Sequence, residues 1–288
     1  MLKPIELTDA APFNRYLERM DSVSCEMSFA NLFLWSPQSL THFEARSGRL
    51  FARAEAEDED YWFFPIGEFL PPAELARLGG VIYDVPPEYL ELHPEISEYF
   101  RIETPSDAAD YIYDLRKLAE CSGPRLRKKR NLIRQFETAF PDRELRPLEP
   151  RDLPELAAFA ADSFASERQT SSLAKEVRMW PNVLAHLFAS ELRLGSLQLR
   201  VNGRLAGFAI YSPLGRGCYD IHFEKVDHSL KGAPQFLVRE LALALLELGG
   251  KLMNREQDLG LEGLRRAKES LDPLYLYRRS ILTPQIVR

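Results

Sequence analysis

Eight residues near the start of the chain, Leu2-Lys-Pro-Ile-Glu-Leu-Thr-Asp9, return near its midpoint as Leu145-Arg-Pro-Leu-Glu-Pro-Arg-Asp152. Leucine, proline, glutamate and aspartate keep their places, while Lys3/Arg146 and Ile5/Leu148 exchange like for like. In each copy a short extended segment ends at an Asp placed to N-cap the helix that follows. The second copy begins almost halfway along 288 residues, which predicts two similar halves. Pro141, Pro147 and Pro150 mark the natural joint. The expected domains are therefore 1–141 and 142–288, the second carrying the chemistry.

The second half reads in order. A strand near 143–148 precedes helices near 152–166 and 171–192, the latter interrupted at Pro181. Asn202-Gly203, between apolar-rich runs from Leu197 to Tyr211, is a type I′ hairpin signal. After the Gly215-Arg-Gly217 turn come a strand at 218–226 and an amphipathic helix at 234–248 that stops at Gly249-Gly250. A strand at 251–256, a helix at 261–271 and an extended run from Leu274 to Leu282 close the half. The order β-α-α-β-β-β-α-β-α-β matches that of the GNAT acyltransferase fold. The expected fold class is α+β, with two tandem GNAT-like domains, each a mostly antiparallel sheet flanked by helices. In the first half, helices are predicted at 9–20, 27–35, 107–121 and 125–139. Strands are predicted at Leu40–Ala54 with a Ser47-Gly48 turn, Tyr61–Ile66 and Val81–Val85.

Composition excludes several classes. Hydrophobic residues at 45% and charged residues at 28% permit a sizeable core. A net charge of −6 argues against nonspecific nucleic-acid binding by the whole surface, though not by a local basic groove. Cys25, Cys121 and Cys218 are odd in number and widely spaced, which fits neither a disulfide framework nor a zinc set, so a reducing cytoplasm is expected. No signal peptide or transmembrane segment is expected, since the most apolar stretch, 236–248, is short and broken by Arg239 and Glu240.

The strand at 218–226 alternates Tyr219, Ile221 and Phe223 with Asp220, His222 and Glu224, so a His and two carboxylates are expected on one face. On an edge strand that face is merely solvated; on a central one its carboxylates need partners or shifted pKa values. Glu224 is then the candidate general base. A metal on Asp220, His222 and Glu224 lacks further ligand spacing, and none is expected. The turn Lys231-Gly232-Ala233 feeds a helix N-terminus, where backbone N–H groups favour a phosphate-bearing donor. Asn254, Arg255, Glu256 and Asp258 follow a strand as a polar binding loop, although polarity alone permits a surface turn. Lys268 shares a helix face with Leu261, Leu264 and Leu271. It either snorkels at a core edge or faces a cleft, where it would neutralise an oxyanion. Arg125, Arg127, Lys128, Lys129 and Arg130 form the one dense basic run, a solvated helix face or a contact for phosphate or RNA.

Ala267-Lys-Glu-Ser-Leu-Asp-Pro-Leu-Tyr275, the Lys231-Gly-Ala turn and Asn254-Arg-Glu-Gln-Asp-Leu-Gly-Leu-Glu-Gly-Leu264 resemble a bacterial family grouped with the C-terminal domain of lysylphosphatidylglycerol synthases. Asp110-Tyr-Ile-Tyr-Asp-Leu-Arg-Lys-Leu118 and Lys128-Lys-Arg-Asn131 resemble the same family's first half, so the likeness covers nearly the whole chain. It implies two GNAT-like halves and passage of an aminoacyl group from a charged tRNA to a lipid hydroxyl. The family typically ends in Phe-Lys-x-Lys-Phe-x-Pro-x-Trp; here Lys268 and Pro273 keep their places, while Ser270 and Tyr275 replace the second Lys and the Trp. The expected function is aminoacyl or acyl transfer to a small-molecule, lipid or peptide hydroxyl or amine. A CoA-dependent N-acyltransferase is the alternative enzyme, although Ser229-Leu-Lys-Gly-Ala233 has one glycine where acetyl-CoA turns usually have two. A silent GNAT-like pair that binds tRNA or a nucleotide is the alternative outside enzymes.

Overall fold

Two seven-stranded sheets repeat one plan in the computed structural model, which describes residues 2–39, 41–55, 60–166 and 170–285. From edge to edge the first sheet runs Lys3–Pro4, His42–Arg46, Arg49–Glu55, Asp60–Phe63, Val81–Val85, Ser280–Pro284, Phe100–Glu103. The second runs Arg143–Arg146, Gly195–Val201, Arg204–Pro213, Cys218–Val226, Leu252–Asn254, Asp110–Asp114, Tyr275–Tyr277. In both sheets the fourth and fifth strands are parallel and all other neighbours antiparallel. This is a mixed α/β architecture of two mixed sheets flanked by helices, as the GNAT-like reading expects.

The sixth strand of each sheet comes from the opposite half. Tyr111, Ile112 and Tyr113 are all buried, so Asp110–Asp114 needs cover on both faces, which the interior of the second sheet supplies. The chain then crosses back near Arg279, and Ser280–Pro284 enters the first sheet. The division expected at 141/142 therefore does not coincide with the division between the sheets. Nor does the helix expected over 107–121 form as one piece. It begins at Leu115 after the strand, with Asp114 accepting from the Lys117 backbone N–H at 2.8 Å as N-cap.

The repeated octapeptide has one geometry in both copies. Glu6 N–H donates to Asp9 at 3.0 Å and Glu149 N–H to Asp152 at 2.9 Å. Lys3 meets Asp9 at 2.6 Å, and Arg146 forks onto both oxygens of Asp152 at 2.7 Å. Each Asp thus folds back to close a capping box, and Asp9 makes no side-chain N-cap bond to the helix that follows it.

Elsewhere the expected elements form with shifted ends. Asn202 (φ 51°) and Gly203 (φ 76°) make the hairpin between Gly195–Val201 and Arg204–Pro213. The helix Ser171–His186 runs through Pro181 and ends earlier than expected. Helices Pro72–Ala76 and Pro87–Leu92 and the strand Phe100–Glu103 have no counterpart in the sequence reading. Leu40, the expected first residue of a strand, lies outside the described residues.

One core joins the halves. Phe13, Phe29 and Leu34 from the first half pack in the same cluster as Phe164, Trp180, Phe208 and Phe223 from the second. A second core fills the other face of the second sheet, beneath helices Leu115–Glu120, Arg127–Ala139 and Ala233–Glu247. No helix among the described residues is long and apolar enough to cross a membrane.

Candidate functional site

The parallel strands Cys218–Val226 and Leu252–Asn254 pair only from Cys218↔Leu252 to Asp220↔Asn254, and then part. A cavity of about 860 Å³ opens in the split, with residues 221–225 on one wall and 255–257 on the other. Helix Glu262–Glu269 closes one side through Leu264 and Lys268. A second cavity of about 510 Å³ toward the first sheet shares Lys175, Gln257 and Leu259 with it.

A β-bulge breaks the alternation that the sequence predicts. Tyr211 pairs with Ile221 and Ile210 with Phe223, which leaves His222 as the extra residue. Ile221 and Phe223 consequently enter different cores, and Asp220, His222 and Glu224 do not share one face as a simple strand would require. His222 Nδ1 lies 3.4 Å from Asp220 and 4.0 Å from Glu256, while Nε2 meets Ser212 Oγ at 2.8 Å. Burial lowers the imidazole to about 4, so it is neutral at ordinary pH. Burial, reinforced by the charges of Glu256 and Asp110, raises the Asp220 carboxyl well above the usual range.

Glu224 points into the split. Its Oε1 accepts from Arg255 Nη2 at 2.7 Å, while its buried Oε2 has no hydrogen-bond partner among the described residues. The Lys268 ammonium donates to the backbone carbonyls of Arg255 and Gln257, and so grips the loop on both sides of Glu256. Asn254 Oδ1 accepts from Glu256 N–H at 2.7 Å, and Asn254 Nδ2 donates to Val23 O and Asp110 at 2.8 Å. These ties hold Glu256 at φ 54°, a conformation costly for a non-glycine residue. Burial pushes the Glu256 carboxyl up to about 8 against the pull of Lys268, and burial brings the Lys268 ammonium down to about 8 against the pull of Glu256.

Behind this wall sit residues the sequence reading did not single out. Arg279 donates to Asp84 and Asp110 at 2.9 Å, and Gln257 donates to Asp110 at 2.9 Å. The network ties the crossover between the sheets to the loop after Asn254. Only the aromatic run Tyr111-Ile112-Tyr113 between two aspartates hinted at it, since aromatic residues at this spacing suit a strand.

Three expected features lie elsewhere. Gly232 has φ 90°, and a methyl group on it would run into the Leu132 backbone carbonyl of helix Arg127–Ala139. Ala233 is fully buried, so Gly232 and Ala233 pack against the protein's own helix, while Lys231 is exposed. Asp258 is buried against Arg265 at 2.8 Å and the Tyr111 hydroxyl at 2.7 Å, and the Arg265 hydrogen bond lowers its carboxyl to about 2. It braces the loop from behind. In the basic run, Arg125 pairs with Asp272 at 3.0 Å, Lys129 donates to Ser270 Oγ at 2.8 Å, and Arg130 donates to the Cys121 and Gly123 carbonyls. Arg127 and Lys128 are exposed.

Comparisons with known proteins agree with this architecture. A conserved protein of unknown function from Bacteroides thetaiotaomicron superposes with a TM-score of 0.91 at 27% identity, over 99% of each chain. The structure of L-PGS from Bacillus licheniformis superposes with a TM-score of 0.68 at 14% identity, over 98% of this chain and 93% of that one. An uncharacterised protein of Mycoplasmoides gallisepticum is 23% identical over 179 residues, which are 61% of this chain and 56% of that protein. The match thus spans little more than half of that relative's length. Residues 17–282 match the family described as phosphatidylglycerol lysyltransferase, C-terminal, and the chain belongs to that family.

Proposed function

We propose that the chain transfers an aminoacyl group from a charged tRNA to a hydroxyl or amine acceptor, with the reacting ester seated in the strand split. The observation that carries this reading is Glu224, a residue of the cavity lining whose Oε1 is fixed by Arg255 while its buried Oε2 has no hydrogen-bond partner among the described residues. That oxygen takes the acceptor's proton as the acceptor's O or N bonds to the ester carbonyl carbon. The tRNA ribose oxygen leaves and recovers the proton. Lys268 spends two ammonium hydrogens on loop carbonyls, and its third is available to the oxyanion.

The basic helix supports the choice of donor. Lys129 and Arg125 dock onto Ser270 and Asp272, just beyond Lys268, so the exposed Arg127 and Lys128 lie on a segment attached to the end of the helix that closes the cavity. A CoA ester is the second choice, since the Leu132 carbonyl packs against the Gly232 turn that would hold its pyrophosphate. The test is single-turnover loss of label from a pool of radiolabelled aminoacyl-tRNAs, with phosphatidylglycerol vesicles, small polyols and peptides as acceptors. Faster deacylation or transfer that vanishes in Glu224→Gln is the expected result. Binding of tRNA with no turnover in any mixture would favour a silent binding protein, and turnover of acetyl-CoA alone would favour the N-acyltransferase.

A further inference from the structure

We infer that Asp220, His222 and Glu256 form a binding site for one divalent cation of the zinc, manganese or cobalt kind. One nitrogen or oxygen atom from each residue lies within 4.8 Å of the others. A shared ion at about 2.0–2.2 Å from each ligand would set neighbouring ligand atoms roughly 3–3.5 Å apart. His222 Nδ1 and Asp220 Oδ2 already stand at 3.4 Å. Glu256, the half-exposed member, closes its 4.0 Å separation from Nδ1 by turning its side chain.

The second observation is what Asp220 lacks. It is fully buried, and neither of its carboxylate oxygens has a hydrogen-bond partner among the described residues. Buried polar atoms are ordinarily satisfied, so two orphaned oxygens in one side chain call for a missing positive or proton-bearing guest. His222 does not supply it, because 3.4 Å is long for an N–H···O bond. With the Nε2 proton donated to Ser212 Oγ, Nδ1 presents a lone pair to the same point that the two carboxylates face. Three groups able to ligate a cation thus converge on one point.

The surroundings favour a cation as well. Asp220, Glu256, Asp110, Asp84 and Glu26 outnumber Arg279 and Lys268, the cations paired or electrostatically coupled with them. The outer supports of a metal site are also present: Ser212 orients the imidazole, and Asn254 and Lys268 pin the backbone around Glu256. His222 and Glu256 line the large cavity, so an ion between them would face it and could take a water or a ligand oxygen in its open position.

Metal uptake is read without turnover, so this inference stands or falls apart from aminoacyl transfer. Tag-free protein is stripped with chelator and dialysed, then titrated with Zn²⁺ and Co²⁺ by calorimetry, with the visible absorption of Co²⁺ followed in parallel. One ion per chain and a raised melting temperature are expected. Ser212→Ala should weaken uptake by about 10- to 100-fold through loss of the outer support. Asp220→Asn and His222→Gln should each abolish the stoichiometric ion and its absorption bands. If Asp220→Asn fails to fold, His222→Gln decides the question alone. Wild-type protein that takes up no stoichiometric ion, or variants that bind as tightly as wild type, would overturn the site.

Discussion

Arg255 reaches across the split between two parallel strands and donates to Glu224 at 2.7 Å, which commits one carboxylate oxygen and leaves the other buried and without a hydrogen-bond partner among the described residues. The guanidinium is a positioning group and the carboxylate the acting one. Glu224→Gln keeps the shape and should slow transfer by about 10²–10⁴-fold. Lys268→Met removes the donor to two carbonyls, with a cost of about 1–3 kcal/mol for a buried group left unsatisfied. Its rate should fall by about 10²–10³-fold. Single-turnover kinetics beside melting curves separate the two effects: Glu224→Gln should melt like wild type, and Lys268→Met should not.

Gly232 makes a different prediction from the one its sequence context invites. Its φ of 90° and the Leu132 carbonyl against it make any side chain costly. Gly232→Val should lose about 2–6 kcal/mol of stability, from overpacking of about 1–3 kcal/mol and a strained backbone of about 1–3 kcal/mol. Denaturant midpoints measure the loss. The folded remainder should bind charged tRNA as wild type does, and a selective loss of donor affinity would return the turn to the binding site.

The turn is ambiguous in sequence for a physical reason. Lys231-Gly-Ala before an apolar helix reads identically whether a ligand or a neighbouring helix meets the N–H groups, and only packing decides. The hairpin at Asn202-Gly203 and the strand Cys218–Val226 were legible because their signals are local. Asp110–Asp114 was not: its strand runs straight into Leu115–Glu120, so one helical pattern spans both. The sequence pointed to Glu224, Arg255, Glu256 and Lys268, which line one cavity, yet the bulge at His222 that sorts their faces depends on pairing with a neighbouring strand.

In the basic run, the residues divide by partner. Arg125, Lys129 and Arg130 are engaged by the protein, whereas Arg127 and Lys128 are exposed. The paired change Arg127→Ala with Lys128→Ala should flatten the salt dependence of tRNA affinity by about two units, one per lost phosphate contact. Filter binding across a salt series reads the slope. An unchanged slope would leave this face merely solvated.

The two copies of the octapeptide should differ in their response to acid. Arg146 forks onto Asp152 and, first among the causes, holds its carboxyl well below the usual range. A depressed carboxyl stabilises the fold above its unfolded value of about 3.9 and loses that contribution as pH falls below it. Asp152→Asn should therefore cost about 1.5–3 kcal/mol at neutral pH. The deficit should shrink toward pH 3. Asp9→Asn removes a pair with the half-exposed Lys3, worth about 0–1 kcal/mol. Urea melts of both variants across pH compare them.

The exchanged strands also set a schedule for synthesis. Val81–Val85 and Phe100–Glu103 are translated well before Ser280–Pro284, the strand that lies between them in the sheet. Until then the first sheet has an open slot with two unpaired edges, the kind of surface that invites pairing with another nascent chain. A released fragment ending before residue 280 should accordingly be aggregation-prone, and closing the slot becomes the step that commits the whole chain at once.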